Sequence, residues 1–144
     1  MKALIVPDMV TDRVKKDYQR IFQIPLANPK MDDDRRSIHE EDDEAAGTST
    51  QAFLVKMNGL PLGNHFHTKK IEMFYILEGE VEHLITADPA SSNTTNDRAN
   101  IPAGSLIVMP PGVAHTFFLT PGSRMICYAS ERFDPDDMVA YKLA

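Results

Sequence analysis

Two histidines and one glutamate, three potential metal ligands, lie within the eight positions 65–72, which read HFHTKKIE. His65 and His67 are two residues apart, so on a β-strand their side chains point to the same face. The polar residues 68–70 could reverse the chain, and an adjacent antiparallel strand would then place the Glu72 carboxylate beside both imidazoles. Two neutral nitrogens and one carboxylate facing a common point suit Fe, Mn, Ni, Co or Zn, and ligand type alone does not choose among these metals. The segment therefore predicts a divalent transition-metal site.

A second segment, residues 104–115, reads GSLIVMPPGVAH and ends in another histidine. Together the two segments resemble the paired motifs of the cupin superfamily. The first motif, G-x5-HxH-x3–4-E-x6-G, is matched by Gly59, His65, His67, Glu72 and Gly79. The second motif, G-x5-PxG-x2-H-x3-N, is matched by Gly104, Pro110, Gly112 and His115. Leu119 stands where the family usually has Asn, a departure that leaves the ligand positions intact.

The resemblance implies an all-β fold, a double-stranded β-helix or jelly roll, and the apolar spacing described below adds a short N-terminal helical segment. It also implies that His65, His67, Glu72 and His115 converge inside the barrel as metal ligands. We expect residues 51–130 to form the barrel. Residues 1–50 would supply a strand, a helix and an acidic loop, and residues 131–144 a C-terminal tail. Because cupins are commonly dimers, the resemblance also implies a homodimer.

The pattern along the chain agrees with such an architecture. Apolar residues recur near helical spacing from Val10 to Phe22, which predicts a short helix that Pro25 would soon end. Short runs rich in β-formers alternate with Gly/Pro turns, as in a sandwich or barrel. We predict strands at residues 2–6, 52–57, 71–77, 81–86, 106–109, 114–119 and 124–129. Residues 78–80 are predicted to form a hairpin turn, residues 88–100 a loop at the lip of the barrel, and the segment after Phe133 one helical turn.

Charge and composition exclude several classes of function. The formal net charge is −6, which argues against a nucleic-acid-binding protein. Residues 31–50 hold eight acidic and two basic side chains, so this segment alone carries the excess, and we expect it to be a solvated loop. No apolar run approaches the roughly 20 residues that span a bilayer. The single cysteine excludes an intrachain disulfide and fits a cytoplasmic protein.

Three classes of function are open, because the superfamily hosts many reactions on one barrel. The first is a metal-dependent enzyme for a small molecule, either a dioxygenase or an isomerase. The second is a sugar-nucleotide ketoisomerase or epimerase of polysaccharide biosynthesis, since residues 63–70 resemble those cupins; there His65 or His67 would move a proton without a metal. The third is a non-catalytic small-molecule-binding protein. His83, which shares a strand face with Val81 in the predicted register, is a further catalytic candidate.

Overall fold

The computed structural model of the chain describes residues 2–23, 31–57, 60–91 and 94–144. Gly59 and Pro25, which entered the predictions above, lie outside these ranges. The predicted strands at residues 106–109, 114–119 and 124–129 are confirmed residue for residue. The elements in chain order are β1 Leu4–Val6, α1 Asp12–Phe22, β2 Met31–Asp32, β3 Arg36–Asp43, β4 Thr48–Val55, β5 Leu62–His67, β6 Glu72–Glu78, β7 Glu80–Ala87, β8 Thr95–Pro102, β9 Leu106–Met109, β10 Ala114–Leu119, β11 Arg124–Ala129, a 3₁₀ turn Pro135–Asp137 and β12 Met138–Ala140.

Two antiparallel sheets form the body of the protein. The larger has the strand order β1-β9-β6-β11-β4-β3-β2 and the smaller β12-β5-β10-β7-β8. Alternate residues of both sheets point into the space between them, as the twofold period of a strand requires. Ile76 and Ile107 of the larger sheet and Val81 of the smaller are fully buried in one core cluster. This arrangement confirms the predicted all-β jelly roll.

Helix α1 covers the outer face of the larger sheet and confirms the predicted N-terminal helix. Its buried side chains, Val14, Tyr18 and Ile21, lie four and three residues apart and so form one stripe. The stripe packs against residues of β4 and β11. The Tyr18 hydroxyl donates a hydrogen bond of 2.9 Å to the carbonyl oxygen of Phe53, which fixes the helix to the sheet. Among the described residues no helix is long and apolar enough to cross a membrane.

The acidic segment is not the loop that its charge predicted. Residues 36–43 form β3, which pairs along its whole length with β4. Ile38 points into the core, while Glu41 points outward and pairs with Arg20 of helix α1. The prediction was wrong because pairing with a neighbouring strand, rather than the intrinsic preference of acidic side chains, determines this backbone.

The prediction that residues 88–100 form a loop at the lip of the barrel is wrong for the same reason. Residues 95–102 form β8, the edge strand of the smaller sheet, which pairs with β7. Residues 95–100 are exposed, so no apolar alternation marks the strand in the sequence. Polar residues on an exposed edge also discourage pairing with another chain.

The turn at residues 78–80 joins the two sheets and is not a hairpin. Strand β6 belongs to the larger sheet and β7 to the smaller. Gly79 has a positive φ of 83°, and a Cβ atom at this position would lie 2.0 Å from the Ser123 Oγ and 2.8 Å from the Ser123 Cα. Only glycine allows both this backbone conformation and the close approach of the Ser123 segment.

Candidate metal centre

Strands of both sheets bring the four predicted ligands together. Strand β5 carries His65 and His67, and His115 of the neighbouring β10 lies opposite His65 in the strand register. Glu72 is the first residue of β6 in the larger sheet. The expectation that Glu72 lies on an adjacent strand is therefore wrong, because residues 68–71 carry the chain from one sheet to the other. The carboxylate approaches the imidazoles from the facing sheet.

The distances suit a shared ion. One potential ligand atom from each of His65, His67 and Glu72 lies within 4.8 Å of the other two. The Glu72 Oε1 is 3.4 Å from the His67 Nε2 and 3.7 Å from the His115 Nε2. The ring centroid of His65 lies 4.9 Å from the ring centroid of His67 and also 4.9 Å from that of His115. Ligand atoms of His65, His67 and Glu72 thus face a common region. The His115 Nε2 borders this region through its contact with the Glu72 Oε1, although the His67 and His115 ring centroids are 6.3 Å apart.

The polar atoms of this cluster are incompletely satisfied. The Glu72 Oε1 and the His67 Nδ1 are buried and have no hydrogen-bond partner in the described structure. Burying an ionised carboxylate without full compensation costs several kcal/mol, as an order of magnitude. A divalent cation beside the Oε1 would provide that compensation, so the donor set fits a metal.

The second carboxylate oxygen of Glu72 has protein neighbours. The Lys70 Nζ lies 3.9 Å from the Glu72 Oε2, and the Cys127 thiol donates to the same atom at 3.7 Å. Both neighbours are buried, and burial raises the pKa of the Cys127 thiol well above its usual value. Cys127 is thus a protonated thiol that orients Glu72. These contacts leave the Oε1 directed at the imidazoles.

Burial keeps the histidines in their neutral, metal-binding form. It lowers the pKa of His65 to about 4, that of His67 to about 3 and that of His115 to about 4. The Lys70 ammonium further lowers the pKa of His67. Unperturbed histidines would protonate near pH ~6.5. The structure therefore moves the competition between protons and a metal for these rings to lower pH.

A backbone contact orients His115. Its Nδ1 lies 3.1 Å from the carbonyl oxygen of Val113. Since the neutral ring carries one proton, the Nδ1–H donates to this carbonyl and the lone pair remains on the Nε2. The Nε2 is the atom that faces Glu72.

The four side chains line a cavity of about 360 Å³. This volume is within the range of about 300–1,000 Å³ that is typical of small-molecule sites. Most of the wall is apolar, including Phe53, Phe74, Phe117 and Met125. Phe133 and Met138, which are partly exposed, extend the lining towards the C-terminal segment.

The prediction that His83 shares a strand face with Val81 is wrong. The register between β7 and β10 shifts between the partners of Val81 and His83, which leaves Glu82 as an extra residue. Such a bulge reverses the alternation of the side chains that follow. The His83 side chain is half exposed, and its Nδ1 lies 3.0 Å from the Asp97 Oδ1. His83 therefore lies outside the cavity.

Asp137 holds the turn between β5, which carries His65 and His67, and β6, which begins with Glu72. Its position in the sequence did not predict this role. This buried carboxylate accepts hydrogen bonds of 2.9 Å from the backbone N–H groups of Thr68 and Lys69, and another from the Thr68 hydroxyl. Burial alone would raise the pKa of Asp137, but these hydrogen bonds outweigh burial and lower it. Strand β12, which follows directly, pairs with β5 opposite His65 and His67. The C-terminal segment thus supports the candidate metal centre from outside.

Three solved structures share this fold. The capsular polysaccharide assembling protein CapF from Staphylococcus aureus matches 87% of this chain and 35% of its own, with 21% identity and a TM-score of 0.69. An oxalate oxidase in complex with glycolate matches 76% of this chain and 56% of its own, with 20% identity and a TM-score of 0.60. Tomato vicilin matches 76% of this chain and 30% of its own, with 15% identity and a TM-score of 0.58.

These likenesses establish the fold and no more, since the chain spans between about a third and just over half of each of those proteins. No curated protein sequence matches the chain at a significant level. The family profile described as Cupin matches residues 45–129, more than half of the sequence. Together with the jelly roll and the positions of the four motif side chains, this match shows that the chain belongs to the cupin family.

Proposed function

We propose that this cupin binds a divalent transition metal through His65, His67, Glu72 and His115, and acts on a small molecule as a dioxygenase or an isomerase. The observation that carries the proposal is the buried Glu72 Oε1, which has no hydrogen-bond partner among the described residues and faces two imidazole Nε2 atoms at 3.4 and 3.7 Å. Iron, manganese, nickel, cobalt and zinc all suit this mixed nitrogen and oxygen set.

A bound ion would supply a Lewis acid with coordination positions left open for water, O2 or a chelating substrate. The protein residues have defined tasks around it. The three imidazoles donate neutral nitrogen lone pairs at neutral pH, because burial lowers their pKa values. Glu72 provides negative charge, and Cys127 and Lys70 hold its other oxygen. The apolar wall, including Phe74 and Phe117, limits the access of water to the cavity.

A second candidate is a sugar-nucleotide ketoisomerase or epimerase of polysaccharide biosynthesis. The sequence of residues 63–70 and the structural likeness to the capsular polysaccharide assembling protein favour it. Its metal-free form has less support, because a general base works best with a pKa near the working pH. Imidazoles with pKa values of about 4 and about 3, at His65 and His67, are weak bases. A non-catalytic binding protein would use the same cavity.

Metal content tests the proposal directly. Untagged protein would be stripped with a chelator, loaded separately with Fe(II), Mn(II), Ni(II), Co(II) or Zn(II), dialysed and analysed by inductively coupled plasma mass spectrometry. We expect close to one equivalent for at least one metal, and a large loss in His67→Ala. The matched control is His83→Ala, which removes an exposed histidine outside the cavity and should leave the metal content unchanged. Less than about a tenth of an equivalent for every metal would refute the metal site, since such sites bind tightly at neutral pH.

The class of reaction needs separate assays on the loaded protein. Oxygen consumption in the presence of candidate substrates would identify a dioxygenase, and thermal stabilisation by nucleotide sugars but not by free sugars would favour the second candidate. Metal binding without turnover of any substrate tested would favour a binding protein. A cytoplasmic location and a homodimer stay predictions, which cell fractionation and analytical ultracentrifugation would check.

A further inference from the structure

Cationic side chains outnumber anionic ones among the described residues that line the cavity, although the whole chain carries a net charge of −6. Arg35, Arg36 and Lys70 line the cavity, and Glu72 supplies the carboxylate among the described lining residues. Asp33, which lies beside both arginines, adds one further negative charge. Among the described lining residues three cations therefore accompany one carboxylate, and the carboxylates of Asp33 and Glu40 contact residues of the cavity wall.

Arg36 is a lining cation whose hydrogen-bonding capacity is only partly used in the described structure. It lies on β3 two residues before the core residue Ile38, on the same face of the strand, and its side chain is 14% exposed. Its Nη1 is buried and has no hydrogen-bond partner in the described structure. Its Nη2 contacts the thioether sulfur of Met31, which is a weak acceptor.

The neighbouring carboxylate does not satisfy this guanidinium. The Asp33 Oδ2 lies 3.6 Å from the Arg36 Nη1 and 3.4 Å from the Arg35 Nη2, so the two arginines share it. The Asp33 Oδ1 accepts hydrogen bonds of 2.8 and 3.0 Å from the backbone N–H groups of the same two residues. Burial, and then the charge of Arg35, lowers the pKa of Arg36, and the charge of Asp33 only partly opposes this effect.

We infer that the cavity binds a small molecule carrying an oxyanion, either a carboxylate or a phosphate monoester, and that the Arg36 guanidinium holds this group. The planar donors of arginine match such oxygens in pairs, a geometry that lysine cannot reproduce. The inference rests on the proposed function because the anion and the metal would share one cavity. It narrows the substrate from any small molecule to an anionic one, with the apolar wall contacting the rest of the molecule.

Isothermal titration calorimetry tests this inference with defined probes. Succinate represents dicarboxylates, glycerol 3-phosphate represents phosphate monoesters, and glycerol is the neutral control. Each probe would be titrated into metal-loaded and metal-stripped protein. We expect at least one oxyanion to bind and glycerol not to bind. Arg36→Gln should weaken the binding by about tenfold or more, since a charged hydrogen bond contributes about 1.5–3 kcal/mol.

Two further variants sharpen the result. Arg36→Lys keeps the charge but loses the paired donors, and should bind the anion more weakly than the wild type and more tightly than Arg36→Gln. It also serves as the test variant if Arg36→Gln does not fold, as judged by circular dichroism. Arg98→Gln removes an exposed arginine of β8 and should bind like the wild type. Unchanged binding in the Arg36 variants, or no binding of either oxyanion up to about 10 mM, a weak-binding limit, would overturn the inference.

Metal content measured in the same samples separates this inference from the proposed function. Normal metal content in Arg36→Gln together with weakened anion binding supports both. Normal metal content with no anion binding in the wild type overturns the oxyanion site alone. Anion binding that depends on Arg36 in a protein that retains no metal overturns the metal site alone.

Discussion

Replacing Asp137 by alanine should loosen the proposed metal centre without removing any of its four proposed ligands. The substitution removes the acceptor of hydrogen bonds from the Thr68 and Lys69 backbone and from the Thr68 hydroxyl. The lowered pKa of Asp137 keeps it ionised at neutral pH, so these are hydrogen bonds to a charged group, each worth about 1.5–3 kcal/mol. Thr68 and Lys69 are exposed, so water would replace part of this interaction. We therefore expect the free energy of unfolding to fall by about 2–4 kcal/mol.

The same change should weaken metal binding, because the turn lies between His67 and Glu72. Loss of a residue that supports metal ligands typically lowers affinity 10- to 100-fold, and we expect about tenfold here. Urea unfolding of the metal-free protein measures the first effect, and competition with a chromophoric chelator measures the second. Asp136→Ala, an exposed residue of the same 3₁₀ turn, is the matched control and should resemble the wild type. If Asp137→Ala lies within about 0.5 kcal/mol of the wild type and binds metal equally well, the supporting role is refuted.

Three other predictions follow from the same structure. Gly79→Ala should destabilise the fold by more than about 1 kcal/mol, since the new Cβ would collide with Ser123. Gly122 has a similar φ but open space around it, so Gly122→Ala should lower the stability less. Thermal unfolding of the two variants would test this difference. Cys127, buried and with a raised pKa, should react with Ellman's reagent only after denaturation, and rapid labelling of native protein would contradict its position. His65, His67 and His115 have pKa values below that of a histidine in the unfolded chain. The metal-free protein should therefore lose stability as the pH falls from about 6.5 towards 4. The loss is at most about 1.4 kcal/mol per pH unit for each ring. The raised pKa of Glu72 offsets part of this loss, and a melting temperature independent of pH over this range would refute the burial of the rings.

The sequence predicted the strands correctly wherever the local pattern of side chains favours the conformation that the backbone adopts. The strands β9, β10 and β11 were predicted correctly because they are rich in apolar β-formers and are bounded by glycine and proline turns. The spacing of His65 and His67, together with the motif around His115, identified the cluster that the structure brings together. In these segments the local preference and the tertiary environment favour the same conformation.

The predictions failed where structure depends on distant partners. Strands β3 and β8 carry mostly polar side chains, and only their pairing with β4 and β7 makes them strands. A bulge at Glu82 reversed the orientation of His83, and one extra residue in a strand leaves no mark in composition. Asp137 acts on a turn that lies 69 residues earlier in the chain. No local pattern could have revealed that contact, or that Arg36 lines the same cavity as the proposed metal ligands.

Two unsatisfied polar groups in the barrel are best explained by ligands that bind beside them. The rings of Phe74 and Phe117 lie beside His115, and both phenylalanines belong to the apolar core. Apolar side chains at the positions of the polar cluster would therefore have extended this core. Instead, in the described structure, the barrel contains a buried carboxylate with one oxygen that has no hydrogen-bond partner, and a partly buried guanidinium with one such nitrogen. Each unsatisfied group lowers stability, and proteins keep such groups mainly at functional sites. A cation beside Glu72 and an anion beside Arg36 would satisfy both, and because the two residues line one cavity, a metal and an anionic substrate could meet there.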